Sequence, residues 1–236
     1  MLLFIDKKTQ TCYIMSPKCG THSISKYLNT DLHTGYANYS SYLKNDNYTK
    51  IIIIRKDVVD RFLSGFYEDL FNNTCYDNMD VTFNEYLLFL YKCYSEKIPN
   101  VNNLSVYLNN NIPVWFGNCS NVFKNITDNN GSFCSHIQTQ KYAINDIISQ
   151  INVKNVKIIE LNALSKLLPN IKSYNVKKKQ NYGLDLTKTT LSDMKKNNII
   201  ISTDCLNDSQ VQLILKICEE DTIFINELTN KFNYCS

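Results

Sequence analysis

Two short segments bring together residue types that can bind and act on an anion. The first is "YIMSPKCGTHSISKYL", residues 13 to 28, in which a lysine, a lone glycine, two hydroxyls and an imidazole sit between an apolar run and an amphipathic stretch. An apolar strand, a tight polar turn and a helix make an anion site, because the free N–H groups at the helix start point at the ligand and the macrodipole favours negative charge. The segment is not a Walker A loop, whose lysine follows its second glycine; here Lys18 precedes Gly20 and the turn has no earlier glycine. The second segment is "IIIIRKDVVDRFLSGFY", residues 51 to 67, where Arg55 and Lys56 close an apolar run and Ser64 follows nine and eight residues later. Cations at a strand end and a hydroxyl from the next helix can grip one phosphate, with arginine supplying a planar fork and serine a rotatable donor.

The elements that must position these groups follow from periodicity. Four consecutive isoleucines in "KIIIIRK", residues 50 to 56, predict a strand buried on both faces, and "TCYIM" (11 to 15) and "NVKIIEL" (155 to 161) predict two more. Helices are expected over 21 to 29, over 57 to 71 with Val58, Phe62, Phe66 and Leu70 on one face, over 82 to 94, and over 207 to 228 behind an Asn/Asp/Ser cap. Strands alternating with helices predict an α/β fold: a single domain with a mainly parallel central sheet flanked by helices. Ligands of such sheets collect beyond the carboxyl ends of the strands, where both segments emerge. Residues 100 to 135, Asn-rich and carrying the sole tryptophan, Trp115, are expected to be a loop-rich insertion that shapes an acceptor site.

Taken together, the two segments resemble the sulfotransferases that use 3′-phosphoadenosine 5′-phosphosulfate (PAPS), and the glycan sulfotransferase branch in particular. That family has a P-K-x-G-[TS]-x-S loop for the 5′-phosphosulfate and an R-[DN]-P-x-x-R-x-x-S segment for the 3′-phosphate. "PKCGTHS" matches the first with Pro17, Lys18, Gly20, Thr21 and Ser23, while Cys19 and His22 fill its variable positions. "RKDVVDRFLSGFY" matches the second with Arg61 and Ser64 but has Val58 where the family has proline. Lys56 keeps the family spacing to Ser64 and Arg55 keeps the residue type. The guanidinium fork favours Arg55, and the position stays open between the two. "SHIQTQ", residues 135 to 140, is similar to the branch's H-x-x-x-Q segment, and "VKKKQNYG", residues 176 to 183, falls where the family has a basic loop over the nucleotide.

The resemblance implies a P-loop-like phosphosulfate loop and an in-line transfer of the sulfuryl group from PAPS to an acceptor hydroxyl, most simply of a carbohydrate, leaving 3′-phosphoadenosine 5′-phosphate (PAP). Lys18 is then the group that meets charge on the leaving phosphate, and the N–H groups and hydroxyls of Gly20 to Ser23 cradle it. No metal is implied. The acceptor needs a general base; of three histidines, His33 lies after the first helix where a second strand would deliver it, so it is the expected base. His136 and Gln140 are expected to orient the acceptor, with His136 the reserve base. A non-catalytic nucleotide-binding module and a P-loop-like ATP-dependent kinase are the competing readings.

Bulk properties limit the partners. A net charge of +3 on 236 residues is mildly basic, below the concentrated charge of a dedicated nucleic-acid binder, so a local anionic ligand is expected and nucleic acid is not. Nine scattered cysteines without C-x-x-C pairs are expected to be reduced thiols. The start "MLLFIDKKTQ" has neither the length nor the flanks of a signal peptide, and no run approaches the ~18 apolar residues of a membrane span. A soluble intracellular protein is the expectation.

Overall fold

The computed structural model describes residues 2–29, 40–72, 76–77, 80–95, 139–151, 154–171 and 185–235. The chain divides into two compact units. The first comprises Met1–Val58, Thr139–Lys177 and Glu220–Ser236, and the second Val59–Gln138 and Lys178–Glu219.

The first unit is built on a five-stranded sheet in which β1 (Leu2–Asp6), β2 (Thr11–Met15), β3 (Thr49–Ile54), β4 (Val156–Glu160) and β5 (Asn233–Cys235) lie side by side in chain order. Strands β2 to β5 are parallel and β1 runs antiparallel to β2. The expected α/β class with a mainly parallel sheet is therefore observed. The isoleucines of β3 are buried on both faces, as a central strand requires. On one face Ile51 and Ile53 join Phe4, Tyr13, Met15 and Ile159 in a core closed by Ile24 of α1 (Thr21–Leu28) and by Leu164 and Leu168 at the short helix that follows β4.

Strands β1 and β5 were not expected from the sequence. Strand β1 is set by turn chemistry rather than by its own pattern. The Asp6 carboxylate accepts from the Lys8 and Thr9 N–H groups at 3.0 and 3.3 Å and from the Thr9 hydroxyl at 2.6 Å, and Gln10 takes a left-handed φ of 51°. That polar knot reverses the chain and lets Leu2–Asp6 pair back on β2. A short helix, α2 (Ser40–Lys44), precedes β3.

Helix α3 (Val58–Asn72), which lies in the second unit from Val59 on, buries the stripe of Phe62, Phe66 and Leu70. Phe66 meets Phe83 and Tyr86 of α4 (Phe83–Ser95) at ring-centroid distances of 5.0 and 5.4 Å. The Tyr67 hydroxyl donates to the Ile201 carbonyl at 2.9 Å and accepts from the same residue's N–H, serving both backbone groups of one buried residue.

The stretch 207 to 228, expected to be one helix, is two. An Asn207–Gln210 capping box starts Asp208–Ile217, which ends at Cys218 (φ −97°, ψ 14°), and a further helix spans Glu219–Lys231. The physical reason is that apolar residues such as Ile214, Ile217, Ile225 and Leu228 keep helical spacing on both sides of Cys218, so periodicity alone does not reveal the break. Among the described residues, no helix is long and apolar enough to cross a membrane.

Candidate functional site

The parallel register of β2 and β3 pairs Met15 with Ile53, so the chain leaves both strands at the same edge of the sheet. The two segments singled out from the sequence thus emerge as neighbours. The first begins as a tight turn: the Cys19 N–H donates to the Ser16 carbonyl at 3.3 Å, with Pro17 at the second position and Lys18 at the third with φ 67°. A turn with proline second and positive φ third is the type II pattern, whose third residue is ordinarily Gly or Asn. Placing a lysine there costs about 1–2 kcal/mol of backbone strain.

Gly20 follows at φ 88°, one of the described positions where glycine's freedom is required. A Cβ there would also come within 2.7 Å of Leu161 Cδ1, which reaches the loop from the end of β4. Gly20 is the N-cap of α1 and provides no side-chain cap, and the first turn of α1 holds no acidic residue. The first intrahelical bond is from the Ile24 N–H to the Gly20 carbonyl at 3.0 Å, so the N–H groups of Thr21, His22 and Ser23 have no acceptor within the helix. Three donors and an uncompensated macrodipole therefore end beside Lys18.

The loop's side chains divide into inward and outward sets. Pro17, Cys19 and Thr21 are buried, Lys18 and Ser23 are half-buried, and His22 is exposed. The Cys19 thiol belongs to the sheet's core, lying 3.1 Å from Ser16 Oγ and donating to Gln140 Oε1 at 3.3 Å. Only the backbone of Cys19 is left to face a ligand.

Beyond β3, Arg55 is half-buried and Lys56 is exposed. The Arg55 guanidinium turns back to the first loop and donates from Nη1 to the Lys18 carbonyl at 3.4 Å, at the weak end of hydrogen-bond length. Gln140, the first residue of α5 (Gln140–Ile148), is fully buried. Its Oε1 accepts from the Arg55 N–H at 2.9 Å and its Nε2 donates to the Arg55 carbonyl at 2.9 Å. The start of α5 is itself capped by the buried carboxylate of Asp221, which accepts from the Lys141 N–H at 3.1 Å.

Of the residues expected from the sequence, Pro17, Lys18, Cys19, Gly20, Thr21, His22, Ser23, Arg55, Lys56 and Gln140 thus gather at one edge of the first unit. Gln140, expected to orient an acceptor, has both ends of its amide engaged by the Arg55 backbone. Ser64 stands half-buried on α3 in the second unit, one turn after the fully buried Arg61. His33, His136, Trp115 and the Lys177–Lys179 run lie outside the described residues. Ser16, Leu161 and Asp221 support the site and were missed; a single serine, leucine or aspartate carries no spacing signal, and their roles come from distant chain segments meeting.

No family model, curated protein or solved structure matches this chain.

Proposed function

We propose that this protein is a PAPS-dependent sulfotransferase, transferring the sulfuryl group to an acceptor hydroxyl, with carbohydrate as the acceptor class. The observation that carries this reading is the adjacency of two cation-bearing loops at the carboxyl ends of β2 and β3, one of them keeping Lys18 in a left-handed turn directly before a helix start. A solvated turn gains nothing from that strain, whereas a turn that aims an ammonium at an anion does.

The donor set fits a phosphosulfate: N–H groups at the start of α1, the Ser23 hydroxyl, and the ammonium of Lys18. PAPS, when bound, supplies the sulfuryl group and a phosphate leaving group. Lys18 would stabilise the charge that grows on that phosphate, and removing one donor of this kind lowers rates by about a hundredfold or more. With Arg55 turned toward the first loop, Lys56 is the exposed cation eight residues before Ser64, the spacing the resemblance assigns to 3′-phosphate binding. His33 is proposed as the base that takes the acceptor proton, with His136 in reserve.

Incubation with labelled PAPS and a panel of glycan acceptors tests the reading. Transfer that is lost in Lys18→Ala supports it. Turnover of ATP with Mg²⁺, without sulfate transfer, would favour the kinase reading, and binding of PAP without transfer to any acceptor would favour a non-catalytic module.

A further inference from the structure

We propose that Gln140 is the positioning residue of the anion site, a buried strut that fixes Arg55 and the Lys18 loop relative to each other; the inference rests on reading that loop as an anion site. The β3–β4 ladder ends at Ile54 opposite Glu160. Arg55 is therefore the first residue after β3 without a strand partner, and its peptide groups would have to find other acceptors and donors.

Gln140 supplies both. Its primary amide has the same donor–acceptor pair as a peptide, and it meets Arg55 N–H and C=O at 2.9 Å each, as a neighbouring strand would. The same Oε1 accepts a hydrogen bond from the Cys19 thiol at 3.3 Å, so one carbonyl oxygen touches both segments. Because Gln140 is fully buried, water does not compete for these bonds. Fixing the Arg55 backbone also sets where its guanidinium goes, which is onto the Lys18 carbonyl. The strut is anchored in turn, since Asp221 caps the N-terminus of α5 one residue on.

Two measurements on the full-length chain test this. In the wild type, the Arg55 amide should exchange with deuterium as slowly as the interior β3 amides; an unprotected Arg55 amide overturns the strut. In Gln140→Met, Arg55 exchange should accelerate about tenfold or more while Ile52 and Ile53 keep their protection. Equal acceleration throughout β3 would mean general loosening and would overturn the proposal, as would an unchanged Arg55 amide.

The functional arm uses PAP as probe. Gln140→Met should weaken its binding about tenfold, whereas Arg55→Met, which leaves the Arg55 backbone bonds to Gln140 in place, should keep the Arg55 amide protected. PAP binding unchanged in Gln140→Met overturns the proposal. Should PAP fail to bind the wild type, the sulfotransferase reading falls, and the exchange results still decide whether Gln140 is the strut.

Discussion

The amide of Gln140 and the backbone of Arg55 form a closed pair of hydrogen bonds, each 2.9 Å long, that extends the sheet's hydrogen bonding one residue beyond the end of β3. This pair joins Gln140 to Arg55 across 85 residues of chain, and the same Oε1 accepts from the Cys19 thiol of the loop that carries Lys18. The site is thus held by buried amide and peptide groups, leaving its cations at the surface or half-buried, where a ligand can reach them.

Lys18 separates stability from function. Replacing it with glycine removes the left-handed strain at φ 67° and with it the cation, so Lys18→Gly should raise stability by about 1 kcal/mol while weakening anion binding at least about tenfold. Lys18→Ala should weaken binding to the same degree without that gain. Chemical denaturation of the two variants beside the wild type checks the order, and equal stabilities for glycine and alanine would count against strain at this turn.

Gly20 has the opposite sign. Gly20→Ala puts a Cβ on a φ of 88° and 2.7 Å from Leu161 Cδ1. The methyl of Leu161 is half-buried and can swing aside, so the backbone term dominates and a loss of about 1–2 kcal/mol is expected. A melting curve unchanged from the wild type would show that the loop does not need its left-handed residue.

The strands β2, β3 and β4 and helices α1, α3 and α4 were legible because each is a contiguous run whose period is set by its own residues: four isoleucines in β3, or Phe62, Phe66 and Leu70 in α3. Lys18, Gly20 and Arg55 were legible for a similar reason, being charged or glycine residues at the ends of such runs. Strand β1 was not, because its pairing depends on the Asp6–Thr9 knot. Nor was the position of Gln140, which was assigned to an acceptor on resemblance. Its burial follows from α5 packing against the sheet, a long-range fact that no local spacing encodes.

Tyr67 tests the second unit. Phenylalanine there removes the hydroxyl that serves both the N–H and the C=O of Ile201, leaving two buried backbone groups without that partner. Tyr67→Phe should lower unfolding free energy by about 1–3 kcal/mol. A loss within a few tenths of a kcal/mol would show that water or another group replaces the hydroxyl.

Stability should also fall in alkali. Burial pushes the Cys12 thiol up to about 11, against the opposing charge of Lys50, and the Tyr13 phenol up to about 12; burial raises Tyr67 as well. Each group stays protonated in the folded chain at pH values where the unfolded chain has released its proton. The folded state then binds more protons, so stability decreases as pH rises. Urea midpoints should be level from pH 7 to about 8.5 and fall progressively above about 9 to 10, the ordinary thiol and phenol range. A midpoint that holds to pH 11 would contradict the burial of these groups.

The measurement that bears most directly on the central claim is calorimetric titration of the purified protein with PAP. Binding is expected in the micromolar range and should weaken at least about tenfold in Lys18→Ala and in Lys56→Ala, corresponding to loss of a charge-assisted contact. No detectable binding by the wild type, or binding indifferent to both substitutions, would contradict a phosphosulfate site at the ends of β2 and β3.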